Sequence, residues 1–151
     1  MAIWLTAISQ IGTLIIGIAV VVVAWQQRQI ARHKLRLDLF DRRYKVYEAT
    51  RKFLSIILRE ARFEETQLFE FYAGTSDAEF LFDSAVVAYL EQLRKRAVHM
   101  RTAQRVYEHM PVGDERSRHV QNEHDDLVWL TDQLTAMSKV FSPYLAFSHV
   151  K

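Results

Sequence analysis

The chain has 151 residues, enough for one domain; half are hydrophobic, and the formal charge is only +2. It contains no cysteine, which excludes disulfides, thiol nucleophiles and thiolate metal sites. The charge is unevenly placed: the first 25 residues carry no Lys, Arg, Asp or Glu, so the remaining 126 hold every charged side chain.

The uncharged run from Ile3 to Trp25 covers 23 residues. As an α-helix it measures about 34 Å, the thickness of a bilayer core. Twelve of its residues are Ile, Leu or Val. At about −0.5 kcal/mol each, these favour insertion by about −6 kcal/mol. Trp4 and Trp25 mark the two ends, where indole rings prefer the headgroup region. A cleaved signal peptide fits less well, because no basic residue precedes the run and it is too long for a signal core. A core helix of so small a domain would rarely stay uncharged for this length. The sequence therefore predicts a transmembrane anchor over residues 1–25. Lys and Arg follow the run closely and none precedes it, so the positive-inside rule puts the N-terminus outside and the rest in the cytoplasm.

Within the run, Thr6, Gln10, Thr13 and Gly17 recur at +4, +3 and +4, on one stripe of a helix. Small and hydrogen-bonding residues on one face favour helix–helix contact in lipid, and Gln10 is costly to expose there. The stripe reads as a packing surface for a second copy. The plainer alternative is hydroxyls bonded to their own backbone and a tolerated glycine.

Residues 26–36 continue as a basic juxtamembrane helix with Arg28, Arg32, Lys34 and Arg36 facing lipid. Each basic side chain near an anionic leaflet gains about 1 kcal/mol. No Gly or Pro interrupts Gln26–Arg62, which predicts one long helix, bent near Ala31–Lys34. Leu37, Phe40, Tyr44, Tyr47, Arg51, Leu54 and Leu58 lie at a/d-type spacing and form its expected seam. Asp38 with Arg42, Asp41 with Lys45, and Glu48 with Lys52 are favourable i,i+4 pairs. Phe63–Tyr72 reads as a short aromatic-rich helix or an extension of the first.

Ala73-Gly74 punctuates the chain, and Ser76-Asp77-Ala78-Glu79 matches a capping box, so the next long helix is expected from Ser76 or Asp77. Phe80, Leu81, Val87, Leu90 and Val98 are its apolar positions, and Pro111-Val112-Gly113 ends it. Asp114 and Glu115 begin the last helix, acids first as the helix dipole prefers. Leu127, Leu130, Leu134, Met137 and Phe141 give it a buried stripe, and Pro143 ends it or begins a final turn. No window alternates like a strand. The fold class is all-α: one N-terminal transmembrane helix continuing into a small cytoplasmic helical bundle over residues 37–151.

The segment from Lys34 through Leu35-Asp38-Phe40 and Asp41-Arg42-Arg43-Tyr44 to Val46-Tyr47-Glu48-Ala49 resembles a group of small, uncharacterised bacterial inner-membrane proteins. They share an N-terminal span, an LDLFDRRYxVYEA segment, and an aromatic-rich end similar to Phe141-Ser142-Pro143-Tyr144-Leu145. The resemblance implies a bacterial origin and this architecture; it implies no activity.

Chemistry is sparse. His119, Glu123 and Asp126 at i, i+4 and i+7 could offer a metal three ligands from one face, but acids at a helix start follow from the dipole alone. They are read as a solvated face, and no metal or cofactor is expected. His33 belongs to the basic flank. The serines sit in no nucleophile elbow, and four unclustered glycines form no phosphate-cradling loop, so no enzyme is expected. Arg94, Arg101 and Arg105 share a stripe with only Glu91 and Glu108 nearby on their helix. The bland reading is a solvated face; the sharper one is an anion-binding groove for a nucleotide or nucleic acid.

Two functions follow. The first is a membrane-anchored interaction module that binds lipids, a protein partner or a second copy, with Tyr47, Phe69, Phe71, Tyr72, Trp129 and Tyr144 as surface aromatics. The second is an oligomeric membrane effector or small channel gated by a cytoplasmic, nucleotide-like anion.

Overall fold

The computed structural model describes the backbone of residues 2–146 and the side chains from residue 20 onward. Five α-helices and no strand occur among the described residues: α1 (Ala2–Glu60), α2 (Glu65–Gly74), α3 (Ala78–Leu81), α4 (Ser84–Glu108) and α5 (Asp114–Leu145). The chain divides into two compact units, Met1–Leu39 and Phe40–Lys151. Among the described residues no helix is long and apolar enough to cross a membrane. Most side chains of the Ile3–Trp25 run, those of Thr6, Gln10 and Thr13 among them, lie outside what the structure describes.

The described residues of the first unit are all part of helix α1. Val20, Val21, Val22, Val23, Trp25, Ile30, Leu35, Leu37 and Leu39 are all exposed on it.

The second unit is a helical bundle with one core. Its part of α1 buries Val46, Thr50, Phe53, Leu54 and Ile57. The expected seam is therefore corrected: Leu37, Tyr44 and Leu58 are exposed, as is Arg51, and of that set Leu54 is fully buried while Tyr47 packs against the core. The heptad fit included an arginine and passed over a threonine. Thr50 can be buried because its hydroxyl donates to the Val46 carbonyl at 2.8 Å, leaving no unmet donor.

Helix α1 stops where Ala61 turns left-handed, φ 53°, with its N–H donating to the Ile57 carbonyl at 2.9 Å. Phe63 then turns inward onto Phe53, ring centroids 5.1 Å apart, and α2 begins with the Glu64 N–H donating to the Gln67 side chain at 2.8 Å. Phe71 of α2 stacks flat on Phe53 at 4.7 Å. Burying a side chain of this size contributes about 1.5–3 kcal/mol, which holds so short a helix in place. Its last residue, Gly74, lies so close to α1 that a Cβ there would meet the Ala49 Cβ at 2.6 Å.

The second long helix starts later than its capping box suggests. The Ser76 hydroxyl bonds backwards, to the Ala73 carbonyl at 3.0 Å, and so finishes α2 rather than starting a helix. Only the four residues of α3 follow. The working cap is Asp83, whose carboxylate accepts the N–H groups of Ala85 and Val86 at 3.2 and 3.1 Å. Helix α4 then buries Val86, Leu90, Leu93, Ala97, Met100 and Ala103. Phe80 and Val98, expected inside, are exposed.

Helix α5 buries Leu130, Met137 and Phe141, with Leu127 and Leu134 packed beside them, as its stripe predicts. It runs through Pro143 to Leu145. Pro143 has no N–H for the Lys139 carbonyl, and the Ser142 hydroxyl donates to that carbonyl instead, at 3.1 Å. Phe141 meets Tyr47, Phe82 and Tyr89 edge-on at 5.5, 5.4 and 6.4 Å.

Candidate functional site

The arginine stripe of α4 faces α2. Arg94 donates to the Thr75 carbonyl at 3.2 Å and to its hydroxyl at 2.8 Å, and its guanidinium lies 5.0 Å from the centre of the Tyr72 ring. Thr75 is buried, and its hydroxyl in turn donates to the Phe71 carbonyl at 2.7 Å. Arg94 thus places a cation at the C-terminal end of α2, where the helix dipole favours one. Arg101 and Arg105 both reach Glu65, the first residue of α2, at 3.2 and 3.4 Å. From Glu65 to Thr75 α2 rises about 15 Å, and from Arg94 to Arg105 α4 rises about 16 Å. One arginine line therefore clasps both ends of one short helix. Two donors on it, Arg94 Nε and Arg101 Nη1, are buried without a partner in the structure.

The opposite side of α4 meets α5 through a buried acid that sequence reasoning placed on a solvated face. Asp126 is 1% exposed. Its Oδ1 accepts from Arg96 at 2.7 Å, and its Oδ2 is bonded to Nδ1 of His99. The Arg96 guanidinium also lies 5.3 Å from the centre of the Trp129 ring. Arg96 and His99 remain about half exposed, so the carboxylate is buried while its cations are wet. The only sequence signal is spacing: Asp126 lies at −4 from Leu130, inside the apolar stripe.

No protein family, curated protein or solved structure matches this chain.

The His119, Glu123 and Asp126 trio does not form. Asp126 is engaged by α4, and Glu123 accepts from the Gln104 amide at 2.6 Å. Among the described residues no three His, Asp or Glu side chains converge to hold a metal. Burial pushes the Tyr107 phenol above its ordinary value, and Glu123 adds to the shift. Burial alone pushes Tyr89 well above the usual phenol range.

The basic flank, Arg28, Arg32, Lys34 and Arg36, is exposed on α1 beside exposed Trp25, Ile30 and Leu35. In the stripe assigned to the span, Gly17 is exposed, with nothing within 4 Å of where a Cβ would stand. Of the aromatics expected on the surface, Phe71 is buried, and Tyr47, Trp129 and Tyr144 pack against the core; Phe69 and Tyr72 are exposed. Arg43, which the sequence places only among the basic residues after the span, donates to the Leu81 carbonyl at 2.9 Å with its guanidinium 5.9 and 5.4 Å from the centres of the Phe82 and Tyr144 rings.

Proposed function

We propose that the protein is a single-pass, membrane-anchored interaction module. Ile3–Trp25 crosses the bacterial inner membrane, Arg28, Arg32, Lys34 and Arg36 lie against the anionic inner leaflet, and the helical bundle stands in the cytoplasm. The observation that carries the reading is the charge pattern: 23 uncharged residues with every Lys and Arg on one side of them. The resemblance of the Leu37–Ala49 segment to small inner-membrane proteins supports it. The bundle's chemistry supports a binding rather than a catalytic role. The arginines that an anion-gated channel would use as its receptor are bonded to Thr75 and Glu65, and the buried carboxylate is bonded to Arg96 and His99.

Alkaline extraction of membranes and a C-terminal alkaline phosphatase fusion test this. The chain should stay with the lipid at high pH, and the fusion should be inactive because its enzyme remains inside the cell. Release into the supernatant, or an active periplasmic fusion, would refute the anchor or its orientation.

A further inference from the structure

Four exposed apolar residues recur along α1 at one fixed interval: Val23, Ile30, Leu37 and Tyr44, each seven after the last. Seven residues are nearly two turns, so the four form one line along the helix. Tyr44 is braced in place, stacked on Phe40 at 6.0 Å and tilted against Tyr47 at 5.9 Å. Within the second unit the face that α1 buries is another one: Val46 lies about 200° round the helix from Tyr44 at 100° per residue. Such a line is half of a coiled-coil seam. Its intervening positions are Gln26, His33 and Phe40, two polar and one aromatic, which makes the seam register-specific and weak rather than permanent.

We propose that this line is the contact between two copies of the chain, paired as parallel α1 helices in register. Charge points to a second copy rather than a foreign partner. In a parallel pair the residue flanking one side of the seam meets the residue five places further along the other chain. Arg36 then faces Asp41 of the second copy, a cation against an anion on each side of the pair. Within one helix these two cannot meet, since five residues turn the side chain by about 140°. The parallel arrangement rests on the anchor proposed above, because copies inserted in one membrane with one orientation present α1 in the same direction.

The chain is free of cysteine, which makes the test direct. Single variants Ile30→Cys, Leu37→Cys and Leu35→Cys of the full chain are oxidised in native membranes and the disulfide-linked dimer is measured. Leu35 lies about 160° round the helix from Leu37. A disulfide needs its Cα atoms within about 7 Å, so Ile30→Cys and Leu37→Cys should dimerise at least about fivefold more than Leu35→Cys. In the Leu37→Cys background Arg36→Asp should lower the yield, and adding Asp41→Arg should restore it. Equal yields at Leu35→Cys and Leu37→Cys, or no dimer at either, overturn the pairing; a line covered by lipid or by another protein gives the second result. A double swap that fails to restore the yield also overturns it. Fractionating the same sample separates the two readings. Loss of the dimer in chain still held in the membrane refutes the pairing alone, while the expected yields from chain recovered in the soluble fraction refute the anchor and leave the pairing standing.

Discussion

Gly74→Ala should destabilise the bundle, although replacing a helical glycine by alanine normally helps. The added Cβ would stand 2.6 Å from the Ala49 Cβ, against an ordinary contact of 3.4–4 Å. Neither atom can rotate away, since each is fixed to its backbone, so α1 and α2 must separate locally by about 1 Å. Overpacking of this kind costs about 1–3 kcal/mol, and the entropy gained by removing glycine returns about 0.5–1 kcal/mol. The net loss is about 1–2 kcal/mol, or about 4–8 °C in melting temperature for a domain of this size. Melting of the full chain in detergent, followed by near-ultraviolet circular dichroism, reads it from the aromatic core. Ala49→Gly should rescue: the double variant should be more stable than the sum of the singles by about 1–2 kcal/mol. A Gly74→Ala chain that melts at or above the parent temperature would show that α2 does not sit on α1 as closely as described.

Three further changes separate causes. Arg96→Met should cost more than Asp126→Asn, about 1–3 kcal/mol, because it leaves a buried carboxylate with only His99, whereas Asn removes the charge itself; urea unfolding of both variants gives the order. Ala61→Gly should stabilise by about 0.5–1 kcal/mol, since φ 53° is unfavourable for a residue with a Cβ, and its melting temperature should rise. Asp83 is held below the ordinary carboxylate value by the Tyr144 hydroxyl and then by the Val86 and Ala85 N–H groups. Its contribution is therefore present above about pH 4 and lost as pH falls through the lowered value. Tyr144→Phe should flatten the fall of stability below about pH 4, and an unchanged acid limb would exclude Asp83 as its source.

The all-α class was legible because helix periodicity is strong over long segments and Pro111 and Gly113 mark the break before α5. The α5 stripe from Leu127 to Phe141 came out as spaced, since its apolar residues have no rival face. The phase of α1 did not. Leu37, Tyr44 and Leu58 fit a heptad as well as the residues that α1 buries, and only the aromatic contacts of α2 and α5 choose between the two faces. The capping box at Ser76 failed for a local reason: a hydroxyl that can start one helix can also finish the previous one, and which it does depends on where α2 ends.

The side chains most suggestive of chemistry in the sequence were the least free in the fold, for a common reason. A charge looks unpaired when its helix carries no opposite charge at three or four residues. Arg101 finds its partner in Glu65, 36 positions away, where Arg105 joins it, and Asp126 finds Arg96 and His99 at 30 and 27. In each case the pair joins two helices. A bundle whose α2 has ten residues and one buried aromatic contact on Phe53, through Phe71, gains from charges that fix which end of α2 meets which turn of α4. Apolar contacts are tolerant of sliding; an arginine on a C-terminal carbonyl and another on an N-terminal glutamate are not. The charged residues of α4 are thus explained by the register of the bundle.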